Sequence, residues 1–123
     1  ILPACHAGRD SLVGTSLVLL LLAQVKQERP KMTLSSVVNA LPHYSMIKHK
    51  QEFSGDAAAI FEDVKAHFPD AQISTEDGLR LGFPNGWAHL RTSNTEPIIR
   101  VIVEAKTQQE AEEIAIACTS KIR

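Results

Sequence analysis

Cysteine is scarce in this chain, with only Cys5 and Cys118 among 123 residues, and so few thiols exclude a scaffold built on disulfides. Their wide separation suits a reducing compartment. Long hydrophobic runs are missing too. The richest, Leu17 to Ala23, is far shorter than the ~20 residues a bilayer crossing needs. Arg9 and Asp10 stand just before it, Gln24, Lys26 and Gln27 prolong it, and no small-residue cleavage site follows, so it reads as a core helix rather than a signal peptide or membrane span. Neither sign of charge dominates: 13 Lys and Arg against 14 Asp and Glu give a formal net charge of −1. The broad positive field that draws nucleic acid or an anionic membrane is absent, and any anion site must be local. There is no nucleophile beside a base and no aspartate-rich cluster suited to Mg²⁺. His6, His43, His49, His67 and His89 share no metal-ligand spacing, so no metal site is expected.

What is present is an ordinary globular balance, 44 % hydrophobic and 22 % charged, in a chain of single-domain length. The first residues read as the middle of something, which suggests a piece of a longer protein. Asp10 or Ser11 caps a helix running to about Gln27, and Thr33 caps a second, Leu34 to Leu41, stopped by Pro42. The first helix is apolar almost all round, and the sheet that would cover it is not evident in this chain. From His43 the pattern changes. A strand over Tyr44 to Phe53 precedes a helix from Asp56 to Phe68. Short strands follow at Ala71 to Thr75, Leu79 to Phe83 and Trp87 to Thr92, divided by Asp77-Gly78 and Pro84-Asn85-Gly86 turns. Ile98 to Ala105 is the last strand, and Thr107 with Glu110 forms a capping box for a final helix striped with Ala111, Ile114, Ala115, Cys118 and Ile122. Tight turns make neighbouring strands antiparallel. The expected fold is α+β, a four-stranded antiparallel sheet with two helices on one face, and the other face carries Arg80, Arg91, Arg100 and Glu104.

Chemistry concentrates in Arg91-Thr92-Ser93-Asn94-Thr95-Glu96-Pro97. A phosphate wants several converging donors; Arg91 supplies a planar fork, while Ser93, Asn94, Thr95 and turn N–H groups fill the remaining lone pairs. Arg100, three residues past Pro97, adds a second guanidinium. Glu96 reads as a carboxylate that orders the loop by accepting backbone N–H bonds. Ser and Asn also favour turns for local reasons, so a plain polar turn stays open on residue chemistry alone. Trp87 is expected to pack on the sheet, and Lys48, His49 and Lys50 form either a solvated strand or a contact to a surrounding cleft.

That loop, with Ile98-Ile99-Arg100-Val101 behind it, resembles the C-terminal phosphate-binding loop of the α-D-phosphohexomutases, the phosphoglucomutase/phosphomannomutase family. Asp77-Gly78-Leu79, Phe83-Pro84-Asn85-Gly86-Trp87 and Val103-Glu104-Ala105 occur in the order of the family's last domain. Leu2-Pro3, His6-Ala7-Gly8-Arg9-Asp10 and the Leu-rich helix resemble the end of its third domain. The resemblance implies that residues 1–41 close domain three and that 42–123 form a TATA-box-binding-protein-like domain four. It implies a cytoplasmic isomerase interconverting hexose 1- and 6-phosphates through a bisphosphorylated intermediate, with the phosphoserine and Mg²⁺ loops upstream of this chain. Arg91, Ser93, Asn94, Thr95 and Arg100 would bind substrate phosphate, no catalytic or metal residue would lie in the chain, and alone it would be inactive. The implied partners are a phosphorylated hexose and the upstream domains, with self-association through the first helix and no nucleic acid or membrane. The alternative function is a non-catalytic α+β module that binds a phosphorylated ligand or a protein.

Overall fold

The computed structural model describes residues 2–5 and 7–123; Ile1 and His6, the latter in the N-terminal motif and the histidine inventory, lie outside the described residues. The chain divides into two compact units, Ile1–Pro42 and His43–Arg123.

The first unit contains two helices. Helix α1, Ser11–Glu28, is capped by Asp10, whose carboxylate accepts from the Leu12 and Val13 N–H groups at 2.9 and 3.0 Å, satisfying donors that a helix start leaves orphaned. None of its residues is buried, and Leu12, Leu17, Leu19 and Leu20 are all exposed. Helix α2, Leu34–Asn39, is capped by Thr33. It ends two residues earlier than expected, because Ala40 and Leu41 donate back to Val37 and Val38, tightening the last turn before Pro42. Among the described residues no helix is long and apolar enough to cross a membrane.

The second unit is an α+β layer pair: β1 Ser45–Glu52, α3 Ala57–His67, β2 Gln72–Ser74, β3 Leu79–Phe83, β4 Gly86–Thr92, β5 Ile98–Ala105 and α4 Gln108–Thr119. The strands form one antiparallel sheet ordered β1-β5-β4-β3-β2. Five strands stand where four were expected. The fifth is the three-residue β2, which folds back through the Asp77-Gly78 turn to pair Gln72 with Gly82 and Ser74 with Arg80, giving partners to main-chain groups on the outer side of β3.

Period-2 alternation decides what each face carries. Leu79, Leu81, Ala88, Leu90, Ile99, Val101, Val103 and Ala105 point one way and are buried with Ile60 and Val64 of α3 and Ala111, Ala115 and Cys118 of α4. Both helices therefore cover one face, as their stripes predict. The capping box is present: Thr107 Oγ1 accepts from the Glu110 N–H at 3.2 Å, and Glu110 Oε2 accepts from the Thr107 N–H at 3.2 Å. Neither α3 nor α4 covers the opposite face, where Arg80, Arg91, Arg100 and Glu104 stand.

Candidate anion-binding site

Arg91 lies near the end of β4 and Arg100 near the start of β5, directly opposite each other in register. Their sequence neighbours Leu90, Ile99 and Val101 are fully buried on the helix face, so alternation turns both guanidinium groups to the open face, where both residues are exposed. Ser93 leaves β4 two residues after Arg91, on the same side. The loop between is closed by Ser93 N–H donating to Ile98 O at 3.0 Å and by Ile98 N–H donating to Glu96 O at 2.8 Å, a tight turn over Pro97. Phe53 N–H donates to Pro97 O at 3.1 Å and ties the loop to the end of β1. The Thr95 N–H and hydroxyl each approach Ser93 Oγ at 3.4 Å, and Asn94 is exposed. All five sequence-nominated residues thus belong to one end of the open sheet face.

The loop is ordered by main-chain bonds rather than by the Glu96 carboxylate, and it is the Glu96 carbonyl that participates. The reason is geometric: the turn over Pro97 places that carbonyl against the Ile98 N–H, while the side chain stands exposed.

Two further residues join the site. Lys50 of β1 is directly opposite Arg100, so Lys50, Arg100 and Arg91 form one row across three neighbouring strands, spaced by roughly 4.8 Å per strand. Like charges in direct cross-strand register repel. Asp77 answers only the Arg91 end, its Oδ1 lying 3.2 Å from Arg91 Nε. Among the described residues, Asp77 is the one carboxylate within ion-pairing distance of these three cations, so the row itself stays positive. The basic cluster of β1 is split by the pleat: Lys48 and Lys50 face this side, while His49, opposite buried Val101, turns toward α4. Sequence reasoning quoted Asp77 only as part of a turn, and Lys50 only as part of a cluster; the pairing of β3 with β4 and of β1 with β5 makes them neighbours of the loop.

The rest of the face is occupied by its own contacts. The Trp87 indole N–H donates to Glu104 Oε1 at 3.2 Å, and the Arg80 guanidinium lies 5.6 Å from the Trp87 ring centroid. Trp87 is therefore packed on the sheet, and Glu104 is engaged by Trp87 rather than by Arg100. His89 Nε2–H donates to the Asp77 carbonyl. Among the described residues no three His, Cys, Asp or Glu side chains gather as metal ligands. What the arrangement presents is donor chemistry suited to an anion: two exposed guanidinium groups in register on neighbouring strands, followed by the hydroxyls of Ser93 and Thr95 and the amide of Asn94 in the loop between those strands.

An antiparallel sheet with both helices on one face and a cationic, hydroxyl-rich loop at the end of the other defines a small α+β domain. Residues 47–119, more than half of the chain, match the family described as "Phosphoglucomutase/phosphomannomutase, C-terminal domain", and the chain belongs to that family. It is 34 % identical over 115 residues to a phosphoglucomutase/phosphomannomutase of Thermococcus kodakarensis, an alignment covering 92 % of this chain and 24 % of that protein. It is 37 % identical over 84 residues to a probable phosphoglucosamine mutase of Methanocella arvoryzae, covering 66 % of this chain and 19 % of that one. The chain spans about a quarter or less of the length of these curated relatives. Its fold matches part of a crystal structure of a phosphoglucomutase/phosphomannomutase family protein from Burkholderia thailandensis, with a TM-score of 0.52 at 24 % identity, over 71 % of this chain and 19 % of that one.

Proposed function

We propose that this chain is the substrate-gripping C-terminal part of a cytoplasmic phosphohexomutase that interconverts hexose 1-phosphate and hexose 6-phosphate. Residues 1–41 are the helical end of its third domain and 42–123 its fourth. The observation that carries this reading is the cross-strand pair Arg91 and Arg100 beneath the 93–97 loop. Two like charges held side by side cost stability, and a dianion seated between them removes that cost. Ser93, Asn94 and Thr95 complete the shell around the substrate phosphate that is not reacting.

A remote phosphate held this way supplies binding energy that orients the sugar and favours closure of the cleft over the reacting end. The chain's own residues bind and orient. In this reading phosphoryl transfer and Mg²⁺ belong to the upstream domains. The partners are accordingly a phosphorylated hexose and the upstream domains, with α1 providing apolar surface for contact with them or with a second copy.

The test is kinetic, in the full-length enzyme. Arg91→Ala removes charge-assisted hydrogen bonds worth about 1.5 to 3 kcal/mol each and lowers kcat/KM by roughly 10- to 100-fold. Arg80→Ala, whose guanidinium lies against Trp87, does far less. An Arg91→Ala enzyme that folds normally and keeps wild-type kinetics overturns the proposal.

A further inference from the structure

We infer that Asp77 is a positioning residue for the anion site, acting through Arg91. The inference rests on the phosphate-binding reading above and adds a member that does not itself touch the ligand. An arginine fork has five N–H donors in fixed geometry, and one edge includes Nε while the other joins the two terminal nitrogens. Asp77 Oδ1 engages Nε at 3.2 Å. The terminal edge stays available for bidentate contact with a phosphate, and the guanidinium is turned by its partner instead of sampling the rotamers of a half-exposed side chain.

The turn that carries Asp77 is itself fixed to β4 from two sides. Gly78 has φ +77°, and a Cβ there would collide with the Leu90 carbonyl oxygen and lie 3.2 Å from Arg91 Cα, so only glycine lets the turn come this close to the strand that bears Arg91. His89 Nε2–H bonds the Asp77 carbonyl. Asp77, Gly78, His89 and Arg91 thus form one clamp that spans the β3–β4 edge of the site.

The sign of the effect separates positioning from simple charge. A carboxylate near a phosphate repels it, so if Asp77 acted only through its field, removing it by any substitution would tighten binding. The Asp77→Asn variant keeps a side-chain oxygen that accepts from Arg91 Nε and loses the charge; Asp77→Ala loses both.

The experiment titrates inorganic phosphate into the 123-residue chain and its Asp77→Asn and Asp77→Ala variants. Amide resonances give the dissociation constant, and the Arg91 Nε–H resonance reports guanidinium order. Asp77→Asn is expected to bind phosphate as tightly as wild type or more tightly. Asp77→Ala is expected to bind about 2- to 12-fold more weakly, the equivalent of about 0.5 to 1.5 kcal/mol for immobilising one rotamer-rich side chain, with the Arg91 Nε–H signal broadened while the β3 and β4 amides keep their positions. The inference is overturned if both variants tighten binding together, or if Asp77→Ala binds as wild type does. Should Asp77→Ala not fold, Asp77→Asn decides through the Arg91 Nε–H resonance: a signal as sharp as in wild type with binding not weakened supports positioning by an accepting oxygen, and a broadened signal or weakened binding contradicts it. Failure of the phosphate reading itself looks different, because phosphate added to the wild-type chain would then leave Arg91 and Ser93 to Thr95 unmoved.

Discussion

Replacing Arg100 by Gln should make the isolated chain more stable and a poorer phosphate binder. Arg100 stands between Lys50 and Arg91 in register, and each opposed like-charge pair on a sheet costs about 0.2 to 1 kcal/mol. Exposure and salt push the value toward the lower end, so two such pairs amount to roughly 0.5 to 1 kcal/mol by the same figures. Gln keeps part of the aliphatic stem and drops the charge. Urea unfolding followed by Trp87, the chain's one tryptophan, reads β4 and hence the second unit. The midpoint should rise by that free energy divided by the m-value, and the corresponding gain in Tm is about 2 to 8 °C for a unit of this size. The advantage should shrink as salt is raised and vanish when saturating phosphate protects the wild type by mass action. Phosphate affinity should fall by roughly 10-fold or more, the loss of at least one charge-assisted bond. A variant that is equally stable at all salt concentrations and binds phosphate unchanged would refute the idea that this row is strained in favour of an anion.

Other expectations follow from particular residues. Cys118 is buried, and burial pushes its thiol from 9.0 up to about 12. The folded state thus resists ionisation that the unfolded chain undergoes above pH 9; stability from this group is intact below pH 9 and is lost between pH 9 and about 12, by about 1.4 kcal/mol at roughly pH 10. Comparison with Cys118→Ala over that range checks the slope, and native alkylation should label exposed Cys5 but not Cys118. Gly86→Ala would drive a Cβ into the Glu104 carbonyl oxygen and place it 2.8 Å from Ala105 Cα. Neither is a flexible side-chain end, so a loss of about 1 to 3 kcal/mol or more is expected in urea unfolding, and an unchanged midpoint would contradict the close approach of β4 to β5. The 123-residue chain should not turn over glucose 1-phosphate; activity above a buffer control in pure material would contradict the assignment of the chemistry to upstream domains.

Local signals made much of this fold legible. The Thr107 and Glu110 capping box, the stripe on α4 and the Asp77-Gly78 turn are short-range features, and each stands where the pattern put it; of the two caps open for α1, Asp10 is the one used, and Asp56, read as the first residue of its helix, is the cap of α3. The loop residues were nominated on their chemistry, and the structure places them between β4 and β5 at one end of the open sheet face. Pairing was harder to read. That the strand read at Ala71 to Thr75 joins the sheet as β2, that Lys50 faces Arg100 and that Asp77 reaches Arg91 depend on pairing between separate segments, where one residue of slip would send each side chain to the opposite face. The expected Glu96 carboxylate contact failed for a similar reason, since the turn over Pro97 decides which oxygen of that residue meets the Ile98 N–H.

The central claim is that Arg91, Ser93, Asn94, Thr95 and Arg100 seat a phosphate, and a phosphate titration of the ¹⁵N-labelled chain followed by amide and arginine Nε–H resonances tests it most directly. The account predicts saturable shifts at Ser93 to Thr95 and at the Arg91 and Arg100 side chains, lost in Arg91→Ala and retained in Arg80→Ala; shifts confined to Lys48 through Lys50, with Ser93 to Thr95 unmoved, would contradict it.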